Sequence, residues 1–320
     1  MQGSRAVGSA TRRVLIGAAA GLAVARIARA AAAPRIIVPY SAGTTIDVVA
    51  RVLADVLTPH VGERVLVINR DGAAGTLGFV ELAQSPLDAL TLVLSGPTPL
   101  TVHPHLRQEP SLDPAGFAPV CQVYELPFVL AASRPSGMAD LGQLIDRARA
   151  APGTLRLGHQ GRASATHLQL LGFAAATGIV VNDIPYRAHG QLLADLASGQ
   201  LDGAMLATGA FDPALVRLLT VFSERGSVAY PGVPAAAALG LPVSIDSFAA
   251  LYARAGLSAE RHAALETACR HAAGSRAVLD AVRKAGAEPR FADAESLANR
   301  VSTERRKMHA LLGRLGLLPQ

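Results

Sequence analysis

The 320-residue chain contains no tryptophan, only two cysteines and only 17% charged residues, and several classes of protein fall away with those shortages. Cys121 and Cys269 stand far apart, in neither a metal nor a redox spacing; a compact zinc module or a dithiol centre is excluded. A disulfide or two separately buried thiols would each suit them. G-x-S-x-G, H-E-x-x-H and clustered carboxylate pairs are all missing, which leaves no recognisable hydrolytic machinery. No basic stripe interleaved with aromatics is present, so nucleic acid is not an expected partner. Nor does any apolar run approach the roughly twenty residues that span a bilayer.

The formal charge of +6 is largely a property of one end. Arg5, Arg12, Arg13, Arg26 and Arg29 fall within the first thirty residues, where there is no acidic residue. Arg5, Arg12 and Arg13 precede the apolar run Val14 to Ala25, and Ala28-Arg29-Ala30 supplies an A-x-A site. That order is an export signal over 1–30, and it implies a periplasmic protein. Thr11-Arg12-Arg13-Val14-Leu15 also carries the paired arginines of a twin-arginine signal, so both export routes stay open. The chain that follows is nearly neutral and half its residues are hydrophobic, enough for two lobes of ordinary size.

Past the leader, the most informative stretch is Arg35 to Arg51. Ile36 to Val38 is an apolar, β-branched run of the kind that forms a strand covered on both faces, and Pro39 ends its ladder. From Ile46 the apolar residues recur at Val49, Val52, Leu53 and Val56, the spacing of a helix with one buried face. Between them Ser41 to Thr45 form a tight turn, with Thr44 or Thr45 as N-cap. Such a turn gathers unpaired N–H groups and the positive end of a helix dipole, which suits a carboxylate or phosphate. Tyr40, Ser41, Ala42, Gly43, Thr44, Thr45 and Asp47 are therefore candidate ligand-binding residues.

The plan repeats. Val65 to Ile68 leads into Asn69-Arg70-Asp71-Gly72-Ala73-Ala74-Gly75, and Leu90 to Leu94 into Ser95-Gly96-Pro97-Thr98. Small polar loops beyond successive strand ends form one wall of a cleft in open α/β sheets, which adds Ser95 and Thr98 to the candidates. His103-Pro104-His105 has no acid or cysteine at ligand spacing and reads as a surface turn. Strands are expected at Phe117 to Val120, Leu126 to Leu130 and Leu155 to Gly158, with a helix over Met138 to Ala150. His159 to Thr166 then mirrors the opening turn, with a helix start at Ser164; Gly161, Arg162, Ser164 and Thr166 are its candidates. His167, just inside that helix, reads as a structural hydrogen-bonding histidine rather than a base. Arg217 to Phe222 is a returning strand, and helices are expected at Ser258 to Ala273, Arg276 to Ala285 and Asp293 to Leu312.

Taken together, Pro39-Tyr40 with Gly43 and Asp47, then Asn69-Arg70-x-Gly72-Ala73-x-Gly75, Gly158, Gly161, Ser164, His167 and Leu168, Pro185-Tyr186-Arg187 and Asp195-Leu196-x-x-Gly199-Gln200-Leu201-Asp202 resemble the signature runs of the Bug proteins, periplasmic solute receptors of tripartite tricarboxylate (TctC-type) transporters. The resemblance runs from Arg35 to Pro319. It implies an α/β, two-lobe periplasmic-binding-protein fold of type II, the Venus-flytrap arrangement: lobe 1 over 31–127 and 223–320, lobe 2 over 128–222, and a ligand cleft between them. It also implies a monomeric receptor with no enzyme activity, no cofactor and no metal, which binds a small organic acid through backbone amides and passes it to membrane transporter subunits. Tyr186 and Asp202 join the candidates on this ground, Tyr186 as a cleft hydroxyl or a half-buried structural tyrosine, and Asp202 as a strand-end residue that orients loops rather than a direct ligand. The chain departs from the family at Thr44-Thr45-Ile46, where glycine is usual, at His159 and Arg162, where residues are small, and at Ala188-His189, in place of a glycine pair. An altered ligand is expected, and Arg162 is either an exposed surface arginine or the partner of a second ligand carboxylate. A ligand-sensing partner of a receptor kinase and, more remotely, a secreted hydrolase are the competing readings.

Overall fold

Alternating strands and helices build two separate sheets in a computed structural model that describes residues 33–87, 90–106, 112–209, 211–243, 245 and 247–319. The expected export signal lies outside these residues. β1 (Arg35–Val38) sits between β2 (Leu66–Asn69) and β3 (Thr91–Ser95), parallel to both. Ile36, Ile37 and Val38 are fully buried, as the β-branched run predicts. β10 (Phe248–Arg254) runs antiparallel to β3 and to β4 (Phe117–Glu125), and β11 (Glu288–Ala292) closes the edge antiparallel to β4, giving the order β11-β4-β10-β3-β1-β2. β1, β2, β3 and β4 therefore all end on the same side of this sheet.

The second sheet has the order β7-β6-β8-β5-β9, from β5 (Phe128–Ser133), β6 (Arg156–His159), β7 (Asn182–Pro185), β8 (Gly203–Ala207) and β9 (Val216–Phe222). β6 is parallel to β7 and β8, and β5 is antiparallel to β8 and β9. Phe128, the first residue of β5, pairs with Ala207 and Phe222 at the far ends of β8 and β9. Because the chain passes from β4 to β5 in two residues, the finishing ends of β6, β7 and β8 look back toward those of β1, β2 and β3. The return from β9 to β10 lies beside this first crossing, where Leu126 N–H donates to Ser247 O (3.0 Å), and Thr208 N–H, just past β8, donates to Pro127 O (2.9 Å).

Helices cover both sheets. α1 (Thr45–Val61) and α2 (Thr76–Gln84) follow β1 and β2, and single turns α3 (Thr98–Thr101) and α4 (His103–Leu106) follow β3. In the second half α5 (Leu141–Ala150) is capped by Asp140, which accepts from Gln143 N–H; α6 (Ala165–Thr177) follows β6 and α7 (His189–Ser198) follows β7. The chain ends with α8 (Ala259–Gly274), α9 (Arg276–Lys284) and α10 (Ala294–Arg314), capped by Ser258, Ser275 and Asp293. α10 serves both halves: Leu297 and Val301 pack with Phe79, Phe248 and Tyr252, whereas Met308, Leu311 and Leu312 pack with Phe128, Leu130 and Met205. Cys121 on β4 and Cys269 on α8 form a disulfide, which settles the open alternative. None of the described helices is long and apolar enough to cross a membrane.

Two local readings change. His103-Pro104-His105 is part of a helical turn and His103 is buried, because Val102 and Leu106 pack into the second lobe's core. Thr44 occupies the N-cap position of α1, but its hydroxyl donates to Ser41 O (2.9 Å) and caps no helix amide.

Candidate functional site

The first turn is held from inside by a carboxylate. Asp47, the third residue of α1 and 3% exposed, accepts from Gly43 N–H (2.9 Å) and from Arg51 Nη2 (2.8 Å) and Nε (3.2 Å). Asn69 at the end of β2 donates to Asp47 Oδ1 (2.9 Å) and to Tyr40 O (3.1 Å), tying both flanks of the turn to the neighbouring strand. Burial alone would raise the Asp47 pKa, but Arg51, Gly43 N–H and Asn69 together hold it below its ordinary value. Gly43 reaches φ 84°, a conformation that suits glycine. Ser41, Ala42 and Gly43 are exposed, and Thr44, Thr45 and Ile46 are half-buried. The first-turn amides of α1, with no side-chain cap, are donors available to an anion.

Behind this turn the Tyr40 hydroxyl meets Ser95 Oγ at 3.3 Å. Burial raises its pKa despite that bond, so the phenol stays protonated. A side chain at Gly75 or Gly96 would approach this hydroxyl at 3.2 Å or 3.5 Å. Ala73 and Ala74, both in the left-handed region, carry the β2 loop around it at a cost of about 1–2 kcal/mol each. Ser41 Oγ donates to Asp71 Oδ2 from the same loop. Ser95 and Thr98 are both buried.

In the second lobe, Ser164 caps α6 by accepting from His167 N–H (3.2 Å), as its sequence position predicts. Gln160 N–H donates to Thr166 Oγ1 (3.0 Å) and Ala163 N–H to His167 Nδ1 (3.0 Å). His167 Nε2 meets Asp183 Oδ2 at 3.0 Å. Since Nδ1 accepts, the ring proton lies on Nε2 and is donated to the carboxylate. Arg162, its side chain 67% exposed, reaches the same oxygen at 3.2 Å. His159 is fully buried and its ring stacks on that of His167, with centroids 4.3 Å apart. Burial, then the neighbouring His167, lowers the His159 pKa to about 4, so it is neutral near pH 7. Burial also lowers that of His167, against the pull of Asp183. His159, His167 and Asp183 bring three ligand atoms within 4.8 Å of one another and could hold a metal ion.

Sequence reasoning placed the two turns on the facing ends of the sheets, and several of the candidate side chains make contacts within their own lobe. Asp47 and Thr166 are braces whose polar atoms are directed at turn amides. The Tyr186 hydroxyl is directed at Asp195 on α7 (2.7 Å), and that burial and contact push its pKa up to about 12. Asp202 lies at the opposite end of lobe 2, where its carboxylate accepts from Arg156 N–H (2.9 Å) and Nε (3.1 Å) at the start of β6. It is a strand-end brace, because β8 begins where β6 begins and both run toward the cleft. Asn69, Asp71 and Asp183 were missed as partners; each comes from a neighbouring strand or loop, beyond the reach of local spacing.

A family model described as the tripartite tricarboxylate transporter family receptor matches residues 49–317. Protein BugT of Bordetella pertussis is 32% identical over 281 residues, covering 84% of this chain and 85% of the relative. Among solved structures, an R. palustris protein with adipate superposes with a TM-score of 0.81 at 25% identity, covering 90% of this chain and 98% of that one. Periplasmic binding protein BugD gives 0.78 at 23%, over 90% and 98%, and MatC from Rhodopseudomonas palustris with bound malate gives 0.76 at 23%, over 88% and 98%. The likeness extends over both sheets and their connections.

Proposed function

The chain belongs to the tripartite tricarboxylate transporter receptor family, a family of solute-binding proteins, and from that premise we propose that it captures a small dicarboxylate between its lobes in the periplasm and delivers it to a membrane transporter. The single observation that carries this reading is the pairing of two strand-turn-helix units, β1 with α1 and β6 with α6, on the ends of the sheets that look toward each other. Each offers amides and a positive helix end, worth about 0.3–1 kcal/mol to an exposed anion and up to about 2 when partly buried. A ligand with a carboxylate at each end would engage both lobes at once. The adipate and malate carried by two structural neighbours make short dicarboxylates the first class to try.

Lobe 2 is taken to span 128–222, with the hinge at the paired crossings near Leu126 and Ser247. Arg162, tethered to Asp183, is then placed to meet a second ligand carboxylate. Titration calorimetry and thermal shift with C4 to C6 dicarboxylates test the proposal. At a hundred times its dissociation constant a true ligand adds about 2.7 kcal/mol of stability. Absence of any shift across dicarboxylates, monocarboxylates and tricarboxylates would overturn it.

A further inference from the structure

Behind the turn of the second lobe lies a donor set that carboxylate binding does not use. His159 Nδ1 sits 2.9 Å from Gly161 O, and a carbonyl only accepts, so the ring proton is on Nδ1 and Nε2 carries a lone pair. That Nε2 is buried without a hydrogen-bond partner, and it lies 3.4 Å from Asp183 Oδ2. A neutral nitrogen lone pair beside a carboxylate oxygen is a repulsive arrangement unless a proton or a cation stands between them. Imidazole oriented by an Nδ1–H to carbonyl bond is also the usual outer support of a metal-ligating histidine.

From this we infer that His159, Asp183 and His167 form a binding site for a divalent transition-metal ion, with Zn²⁺ the natural probe. Bond lengths of about 2.0–2.1 Å in a tetrahedral zinc site put neighbouring ligand atoms about 3.3 Å apart. His159 Nε2 and Asp183 Oδ2, at 3.4 Å, already stand at that separation, and His167 Nε2 lies 3.0 Å from the same oxygen. Two imidazoles and one carboxylate favour zinc, copper, nickel or iron over calcium and magnesium, which prefer all-oxygen shells. His159 and Asp183 serve as they stand. His167 joins by turning its ring out of the stack, giving up the Ala163 contact and moving its proton to Nδ1. The cation would also take Asp183 Oδ2 from Arg162, releasing the guanidinium on the cleft side.

The experiment uses the untagged mature protein, stripped with chelator, and Zn²⁺ alone by titration calorimetry, independent of any organic ligand. One zinc per chain is expected. His159→Gln, Asp183→Asn and His167→Gln should each weaken binding tenfold or more, and Arg162→Ala should not weaken it. His60→Gln and His309→Gln, which alter the separate His60–His271 and His105–His309 contacts, should leave it unchanged. X-ray absorption of the zinc-loaded wild type should show two imidazoles, a readout that stands even if a variant fails to fold. Lack of zinc uptake by the wild type, undiminished uptake by folded His159→Gln, or a zinc shell without imidazole would each overturn the site.

Discussion

The third residue of α1 and the third residue of α6 hold matching positions, and one is an acid while the other is an imidazole. Asp47 accepts from Gly43 N–H four residues earlier; His167 accepts from Ala163 N–H four residues earlier. Each is braced from the neighbouring edge strand, by Asn69 of β2 and by Asp183 of β7. The electrostatics differ. Asp47 puts a negative charge in the first turn of its own helix, paired with Arg51, whereas at α6 the charge belongs to Asp183 of the neighbouring strand, paired with Arg162, and reaches the helix through neutral His167. Lobe 1 carries its bracing carboxylate within its own helix, and lobe 2 borrows one from β7. The disulfide sharpens the contrast, because it joins two elements of lobe 1 only.

The largest effect is expected from that bond. Cys121→Ser with Cys269→Ser should cost about 2–5 kcal/mol in denaturant unfolding, since 148 residues separate the bonded positions. If lobe 1 owed its rigidity to packing alone, the loss would be near zero. Next comes the matched pair of braces. Asp47→Ala takes the carboxylate away from Gly43 N–H, Arg51 and Asn69, leaving the last two only the Asn69 and Tyr40 oxygens, and should cost about 2–4 kcal/mol, whereas His167→Ala, a neutral brace, should cost about 1–2 kcal/mol. Equal losses would erase the distinction between the lobes. Urea midpoints of the two variants decide it.

Acid and alkali should also separate the two halves. Asp47 has its folded pKa below the unfolded value of 3.8, so its contribution is present above pH 3.8 and is lost as pH falls through the folded value. Asp47→Asn should flatten the acid limb of stability. Tyr186 is the reverse case: its folded pKa, about 12, lies above the ordinary 10, so its contribution is intact below pH 10 and is lost as pH rises through about 12. Tyr186→Phe should cost about 1 kcal/mol at pH 7 and flatten the alkaline limb. Equilibrium unfolding at pH 3, 7 and 11 checks both.

How far these assignments could be read in advance depended on whether the partners were local. The helix starts at Ser164, Ser258, Arg276 and Asp293 were legible because a serine or aspartate cap lies three residues from the amide it accepts from. The strand at Ile36 to Val38 was legible from its β-branched run. β10 was not: Phe248 to Tyr252 is alanine-rich and buried on both faces, and it pairs with strands more than a hundred residues earlier. β11 hid behind Pro289 and its half-exposed edge position. Within the site, the turns and the strand-end place of Asp202 were visible, while the partners of Asp47, Tyr186 and Asp202 were not. Their partners Asn69, Asp195 and Arg156 are fixed by helix packing and by strand order, which no local pattern records.

The smallest effects lie at the two residues that begin these braces. Gly43 has φ 84° with no atom within 4 Å of an added Cβ, so Gly43→Ala meets only backbone strain, about 1 kcal/mol. Ala163 already bears that strain at φ 59°. Ala163→Gly should therefore stabilise by up to about 1 kcal/mol, less the entropy that glycine adds to the unfolded chain. Opposite signs for the two substitutions in thermal unfolding are the expected result. If both destabilise, the Ala163 Cβ makes packing contacts that outweigh its strain, and the turns are less alike than their hydrogen bonds suggest. A gain at Ala163 with unchanged ligand affinity would mean that the strain serves neither the cleft nor the fold.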